Sequence, residues 1–273
     1  MGRVLLVAGS RNLGGAVALA AEAALRSGVG FLEIACPGCL LDILTTRVPE
    51  AVLFHRGDSR RLHFIAGDAD PVLDAAENAD AVVVGPGLGP GSQPKEFVKR
   101  LLLEAADLEL PWVFDADALN HLAALGQEVR LPARTVLTPH PGEAARLLRR
   151  EGGPAAIQAD RAGSHAALAQ LTGATVVLKG AGTLVGGPEE PPWVCEAGNP
   201  GLATAGTGDV LAGLLGGFLA RGLEPGPAAR LAVHVHAAAG DRAAARLGEE
   251  SLLARDLLEE IPGVLKEHPR EEA

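Results

Sequence analysis

Tyrosine is absent from this chain, and Phe and Trp contribute only six and two residues. With rings so scarce, the core must rest on Leu, Val and Ala, and a hydrophobic content of 48% is ample for one. Positive charge is scarce too. Twenty-four Lys and Arg stand against 34 Asp and Glu, a net charge of −10, and no basic block stands out. That excludes nucleic acid and anionic membranes as natural partners. An anionic ligand would have to be held locally, by backbone N–H groups and a few cations. Three cysteines, Cys36, Cys39 and Cys195, are an odd number. Cys36-Pro-Gly-Cys39 has no second pair and falls short of a four-ligand zinc site; two ordinary thiols are a simpler reading than a redox pair. No apolar run approaches the ~20 residues of a membrane span, and the run in MGRVLLVAGSRN is too short for a signal peptide. A soluble, cytoplasmic protein is expected.

What the chain does have is glycine, 35 residues, and proline, 19, set between short Val/Leu/Ile runs and helical stretches. This alternation predicts a mostly parallel sheet covered on both faces. Strands are expected at 4–8, 31–35, 51–54, 62–65, 81–84, 112–115, 135–138, 175–179 and 183–185. Helices are expected at 16–27, 94–105, 142–149, 155–171, 209–220 and 226–247. The last two strands form an antiparallel edge, because 180–182 is too short for a crossover. No linker or composition break divides the chain, so one domain over 1–273 is expected, with a charged tail at 266–273 that frays. Glycine- and proline-rich loops follow strand ends at 9–15, 85–92, 115–120, 139–143 and 180–182, the edge at which open α/β sheets bind ligands.

The stretch GNPGLATAGTGDVLAGLL, residues 198–215, concentrates the chemistry. Val210, Leu211, Leu214, Leu215, Phe218 and Leu219 form one helical stripe. Ala212, Gly213, Gly216, Gly217 and Ala220 make an adjacent small face for close packing. Gly206 and Gly208 let backbone N–H groups turn toward a ligand at the positive end of the helix, an anion hole. Asp209 would repel an anion there, so it reads as a base aimed at the acceptor hydroxyl of a phosphoryl transfer. The plainer alternative is an acid that favours the helix dipole. GPGLGPG (85–91) does not fit G-x-G-x-x-G, which argues against a Rossmann site, and 9–16 lacks the Lys-Ser/Thr of a P-loop. Pro139 and Pro141 brace His140, and Glu143 and Arg146 could pair on one helix face. Asp115 and Asp117 could face a magnesium–phosphate through water; for Asp117 a helix cap is the preferred reading. By itself Lys179 reads as a solvated hairpin lysine. His234 and His236, i and i+2 on a helix, point to different sides and read as packing.

GTGD before a small-residue helix resembles the ribokinase-like superfamily. The longer GNPGLATAGTGDVLAG is similar to the ADP-dependent (S)-NAD(P)H-hydrate dehydratase family. GSRNLGGAVALAAEAALRSGVG, VVVGPGLG, FDADALN, LTPHPGEAARL and VLKGAGTLV match in the family's order, from about Arg3 to Leu258. The resemblance implies a ribokinase-like three-layer α/β/α sandwich with a mostly parallel central sheet. It implies repair of NADH or NADPH that has added water across the nicotinamide ring. Phosphorylation of the hydroxyl from ADP (ATP possible, with Mg2+) makes a leaving group, and the ring nitrogen expels phosphate. Asp209 is then the catalytic residue and also contacts the hydrate, together with Ala16, Gly87, Gly89, His140, Glu143 and Arg146. Lys179, Gly180, Ala181, Gly182 and Thr183 hold the AMP portion, and Asn199, Gly201, Thr204, Gly206, Thr207 and Gly208 complete the phosphate cradle. Leu13 stands where the family commonly has Tyr. The family often carries an epimerase domain ahead of this one. As 273 residues leave no room for it, a separate epimerase, or spontaneous epimerisation, is expected. A homotetramer is also expected. Two other readings are a ribokinase-like kinase of a hydroxyethylthiazole or hydroxymethylpyrimidine, which should lack the TPHPGE and KGAGT pairing, and a nucleotide sensor without chemistry.

Overall fold

In the computed structural model, which describes residues 2–105, 108–126, 129–189 and 191–267, nine strands form one sheet. They are β1 (Arg3–Val7), β2 (Phe31–Pro37), β3 (Val52–Arg56), β4 (Ala81–Val84), β5 (Trp112–Phe114), β6 (Thr135–Leu137), β7 (Thr175–Leu178), β8 (Leu184–Gly186) and β9 (Trp193–Val194). Their order is β3-β2-β1-β4-β5-β6-β7-β8-β9. Pairing is parallel through β7 and antiparallel at β7–β8 and β8–β9. Between β1 and β4 the order reverses, the place in an open α/β sheet where ligands bind. The loops that leave these strands touch there through Gly9 N–H and the Pro86 carbonyl at 2.9 Å.

Eleven helices cover the two faces among the described residues: α1 (Gly14–Arg26), α2 (Leu41–Arg47), α3 (Ala69–Ala76), α4 (Ser92–Ala105), α5 (Asp117–Leu125), α6 (Pro141–Leu147), α7 (Gly153–Ala159), α8 (Arg161–Thr172), α9 (Thr207–Ala220), α10 (Pro225–Leu247) and α11 (Ala254–Glu267). Alternation along β1 sorts the layers. Val4 and Leu6 pack with α1, α2, α9, α10 and α11, while Leu5 and Val7 pack with α3, α4 and α5. A smaller cluster seats α6, α7 and α8 on β7 and β8. The few rings are concentrated. Phe64, Phe97, Trp112 and Phe114 all lie in the α3–α5 layer, with Phe64 stacked on Phe97 at 4.6 Å. On the other face the small residues of α9 let two backbones meet: a Cβ on Gly213 would run into the carbonyl of Ala20 on α1.

Three expectations need correction. Residues 62–65 are not a strand. Phe64 is committed to the core against Phe97, and the Leu62 carbonyl accepts the Arg11 N–H at 2.9 Å, so this backbone serves the loop after β1. The expected helix 155–171 is two helices. Asp160 breaks it by capping α8, its carboxylate accepting the Gly163 N–H at 2.9 Å, as acids at helix starts do. Lys266 and Glu267 close α11 rather than fray; the rest of the expected tail lies outside the described residues.

Candidate active site

The chain reaches the site through strand ends. β5 delivers Asp115, β6 runs on to His140, and Lys179 directly follows β7. Lys179 is no solvated hairpin lysine. Its Nζ donates to Asp115 Oδ1 at 2.8 Å and stands 3.9 Å from Glu143 Oε2, with only 18% of the side chain exposed. Burial alone would lower its pKa, but Asp115, Glu143 and Asp209 outweigh it and hold the ammonium above its ordinary value. Thr138 Oγ1 also donates to Asp115 Oδ1, at 2.6 Å. Across the cleft the Lys179 Nζ lies 3.4 Å from where a Cβ on Gly208 would stand. A Cβ at 208 would stand in ordinary contact with the ammonium, so the start of α9 and the end of β7 meet here.

Asp209 follows in the first turn of α9. Gly206, at φ +92°, caps that helix in the left-handed region, and Val210 N–H is the first to bond back, to the Gly206 carbonyl at 3.2 Å. The amides of 208 and 209 therefore sit at the open end of the helix. Burial, and then the negative charge of Asp115, push the Asp209 carboxyl up to about 7, with Lys179 opposing. That value suits a base at neutral pH. His236 Nε2 donates to the Thr207 carbonyl at 2.8 Å and steadies this turn; burial pushes its own value down to about 4, so it is neutral.

His140 is committed to its own helix. Its Nδ1 accepts from Gly142 N–H at 2.9 Å, and Glu143 Oε2 accepts from His140 N–H at 2.8 Å, a capping box. Because Nδ1 is an acceptor, the neutral ring carries its proton on Nε2, 3.3 Å from Glu143 Oε1. Half of the side chain remains exposed. Burial pushes the Glu143 carboxyl up to about 7 against the pull of Lys179. The expected Glu143–Arg146 pairing is replaced: Arg146 Nε donates to Asn120 Oδ1 at 2.8 Å. Nor does Asp117 cap α5, since Ala116 holds the cap position without a side-chain bond. Asp117 Oδ2 instead accepts the Gly89 N–H at 2.8 Å, while His121 Nε2 donates to the Gly89 carbonyl at 3.0 Å. Gly89 is thus gripped from both sides. Gly87, at φ +65°, leaves no room for a side chain against Leu13 and Ala16, so the loops after β1 and β4 pack directly on each other.

On the other flank, Gly180–Thr183 makes the turn after β7. Arg161 braces it through the carbonyls of Leu178, Lys179 and Gly182 at 3.1–3.3 Å, and Thr183 Oγ1 donates to the Gly180 carbonyl. The side chains of the 199–207 loop are spent on shaping it. Asn199 accepts from Gly201 N–H and donates to Asp241 Oδ1 at 2.8 Å. Thr204 donates to the Leu252 carbonyl, and Thr207 to the Leu202 carbonyl. Arg161, Asp241, His121 and Asn120 were not singled out in the sequence; each acts through long-range bonds that no local spacing encodes. A recess of about 1020 Å3 between Leu125, Leu147 and Leu171 lies at the far ends of α5, α6 and α8, away from these charges.

An α/β/α sandwich that aims a carboxylate, an ammonium and the amide end of a helix at one point suits phosphoryl transfer, and its class is the ribokinase-like fold. Within that class the chain belongs to the NAD(P)H-hydrate dehydratase family, whose model matches residues 4–263. The ADP-dependent (S)-NAD(P)H-hydrate dehydratase of Xanthomonas campestris pv. campestris is 40% identical over 272 residues, 98% of this chain and 90% of that protein. The bifunctional NAD(P)H-hydrate repair enzyme of Moorella thermoacetica is 40% identical over 269 residues, 97% of this chain but 49% of that protein. The chain thus spans about half the length of the bifunctional curated relatives it matches. The crystal structure of ADP/ATP-dependent NAD(P)H-hydrate dehydratase from Bacillus subtilis, co-crystallised with ATP/Mg2+ and soaked with CoA, matches with a TM-score of 0.83 at 31% identity, covering 98% of this chain and 92% of that one.

Proposed function

We propose that the chain dehydrates (S)-NADH hydrate and (S)-NADPH hydrate at the expense of ADP, giving NAD(P)H, AMP and phosphate. The observation that carries this reading is the half-buried Asp209 at the head of α9, within electrostatic reach of the Lys179 ammonium. Asp209 accepts the proton of the hydrate hydroxyl as its oxygen attacks the β-phosphorus of ADP. The amides of 208 and 209 and the Lys179 ammonium take up charge on the moving phosphoryl. The ring nitrogen then expels phosphate and a ring C–H proton leaves, restoring the dihydronicotinamide. The turn at 180–183 and the loop at 199–207 hold AMP, and Ala16, Gly87, Gly89, His140, Glu143 and Arg146 line the hydrate side. Among the described residues no three His, Cys, Asp or Glu are grouped to hold a metal ion, and Asp115 is engaged by Lys179 and Thr138. The residues present do not build a magnesium cage, so any Mg2+ travels on the nucleotide phosphates.

In this reading residues 1–273 work as one dehydratase unit in the cytoplasm, as a homotetramer. Among the described residues no helix is long and apolar enough to cross a membrane. The test supplies NADH hydrate with ADP or ATP and follows regenerated NADH. Regeneration supports the reading. No regeneration with either nucleotide, together with phosphorylation of a hydroxyethylthiazole or hydroxymethylpyrimidine, overturns it.

A further inference from the structure

Beyond the hydrate site, the same rim of the sheet carries a second recess of about 770 Å3, lined by Arg60, Arg61, His63, Gly67, Ser92 and Gln93. It lies after β3 and at the start of α4, and two connections tie it to the hydrate side. Ser92 and Gln93 follow the Gly85–Gly91 loop directly, and the Arg11 N–H in the loop after β1 bonds the Leu62 carbonyl. His63 Nε2 and Gln93 Oε1, 2.8 Å apart, close its wall.

The strand order gives the recess a direction. The reacting centre is built at the ends of β5, β6 and β7, and the proposed AMP side lies beyond it toward β8. A second substrate must enter from the other side, over β4 and β1. Three strand spacings separate β4 from β3, roughly 14 Å along the rim. A dinucleotide with its nicotinamide end at Asp209 has the rest of its length to place on this path.

In a chain whose net charge is −10 the recess is locally balanced, Arg60 and Arg61 standing against Asp58 and Glu96. Arg56, Arg60 and Arg61 face two carboxylates. Asp68 is buried and takes Arg56 at 3.4 Å and Arg61 at 3.1 Å; Asp58 takes Arg60 at 3.1 Å. Glu96 also lines the recess and lies beside Lys95 at 4.0 Å. The Arg60–Asp58 pair is the loose one, its side chains 90% and 61% exposed. Exposed pairs of that kind hold weakly, so the Arg60 guanidinium is free to turn to a doubly charged phosphate, which a guanidinium meets with two parallel hydrogen bonds.

We infer that this recess receives the adenosine end of the hydrate and that Arg60, supported by Arg61, binds the ribose 2′-phosphate that distinguishes NADPH hydrate from NADH hydrate. The inference rests on the dehydratase reading for its substrate, and its test separates the two. KM is measured for both hydrates with saturating ADP in the wild type, Arg60→Ala and Arg60→Lys. The ratio of KM for NADH hydrate to KM for NADPH hydrate is expected to fall about tenfold in Arg60→Ala and to recover partly in Arg60→Lys. A ratio unchanged by Arg60→Ala overturns the inference and leaves the dehydratase reading intact. Should the wild type turn over neither hydrate, that reading fails instead. Titration of NADP+ and NAD+ into the ADP-saturated protein then decides the recess: a preference for NADP+ that is lost in Arg60→Ala supports it, and equal binding overturns it.

Discussion

Two carboxyls, Asp209 and Glu143, are both pushed up to about 7, burial being the first cause for each. Only an ionised Asp209 can accept the hydroxyl proton, so kcat/KM is expected to fall as pH drops through about 7. The negative charge of Glu143 adds to the raising of Asp209. Glu143→Gln keeps the capping box and removes that charge, so the acid limb of the kcat/KM profile should move to lower pH; a limb that stays or rises contradicts the coupling. A second consequence concerns stability. The unfolded Asp209 loses its proton near its ordinary value of about 3.9, whereas the folded one keeps it to about 7. The folded state therefore binds more protons across that window, and stability drains away as pH rises through it. Asp209→Asn removes the drain. In thermal scans the variant should melt above the wild type at pH 8 and level with it near pH 4, while ADP binding persists.

At the scale of elements, the helices and strands with strong periodicity were legible, and those set by tertiary commitments were not. The small face of α9 announced its close packing in plain spacing. By contrast, Leu62–Ile65 looks like a strand only until Phe64 finds Phe97, and Asp160 sits in a helical pattern that its capping bond interrupts. The short α2 and α3 and the two-residue β9 carry too little periodicity to stand out. At the site, the carriers of chemistry were legible because glycine turns and strand ends mark them. Their orientation was not, since Lys179 turning in to Asp115 spans 64 residues. The close contact of α1 with α9 makes its own prediction. Gly213→Ala forces a methyl onto the Ala20 carbonyl, so α1 and α9 must separate. Overpacking of this kind costs about 1–3 kcal/mol, to be read as a lower denaturation midpoint; an unchanged midpoint would show that the helices can slide apart freely.

Across the whole molecule, one sheet with a reversal between β1 and β4 sets two approaches to a single point. The 180–183 turn and 199–207 loop lie on one flank, and the 9–16 and 85–91 loops on the other. A chain of net charge −10 has no general attraction for the two anionic substrates proposed, so in that reading their capture depends on the few cations and amides gathered at that rim. The central claim is that Asp209 starts the transfer of a phosphoryl group from ADP to the hydrate. Its most direct test measures NADH regenerated and AMP formed from NADH hydrate and ADP, in the wild type and in an Asp209→Asn variant shown to bind ADP. The account predicts one AMP per NADH in the wild type and a loss of both products in the variant, by at least about a hundredfold. Near-normal turnover by Asp209→Asn, or NADH regenerated without AMP, would contradict it.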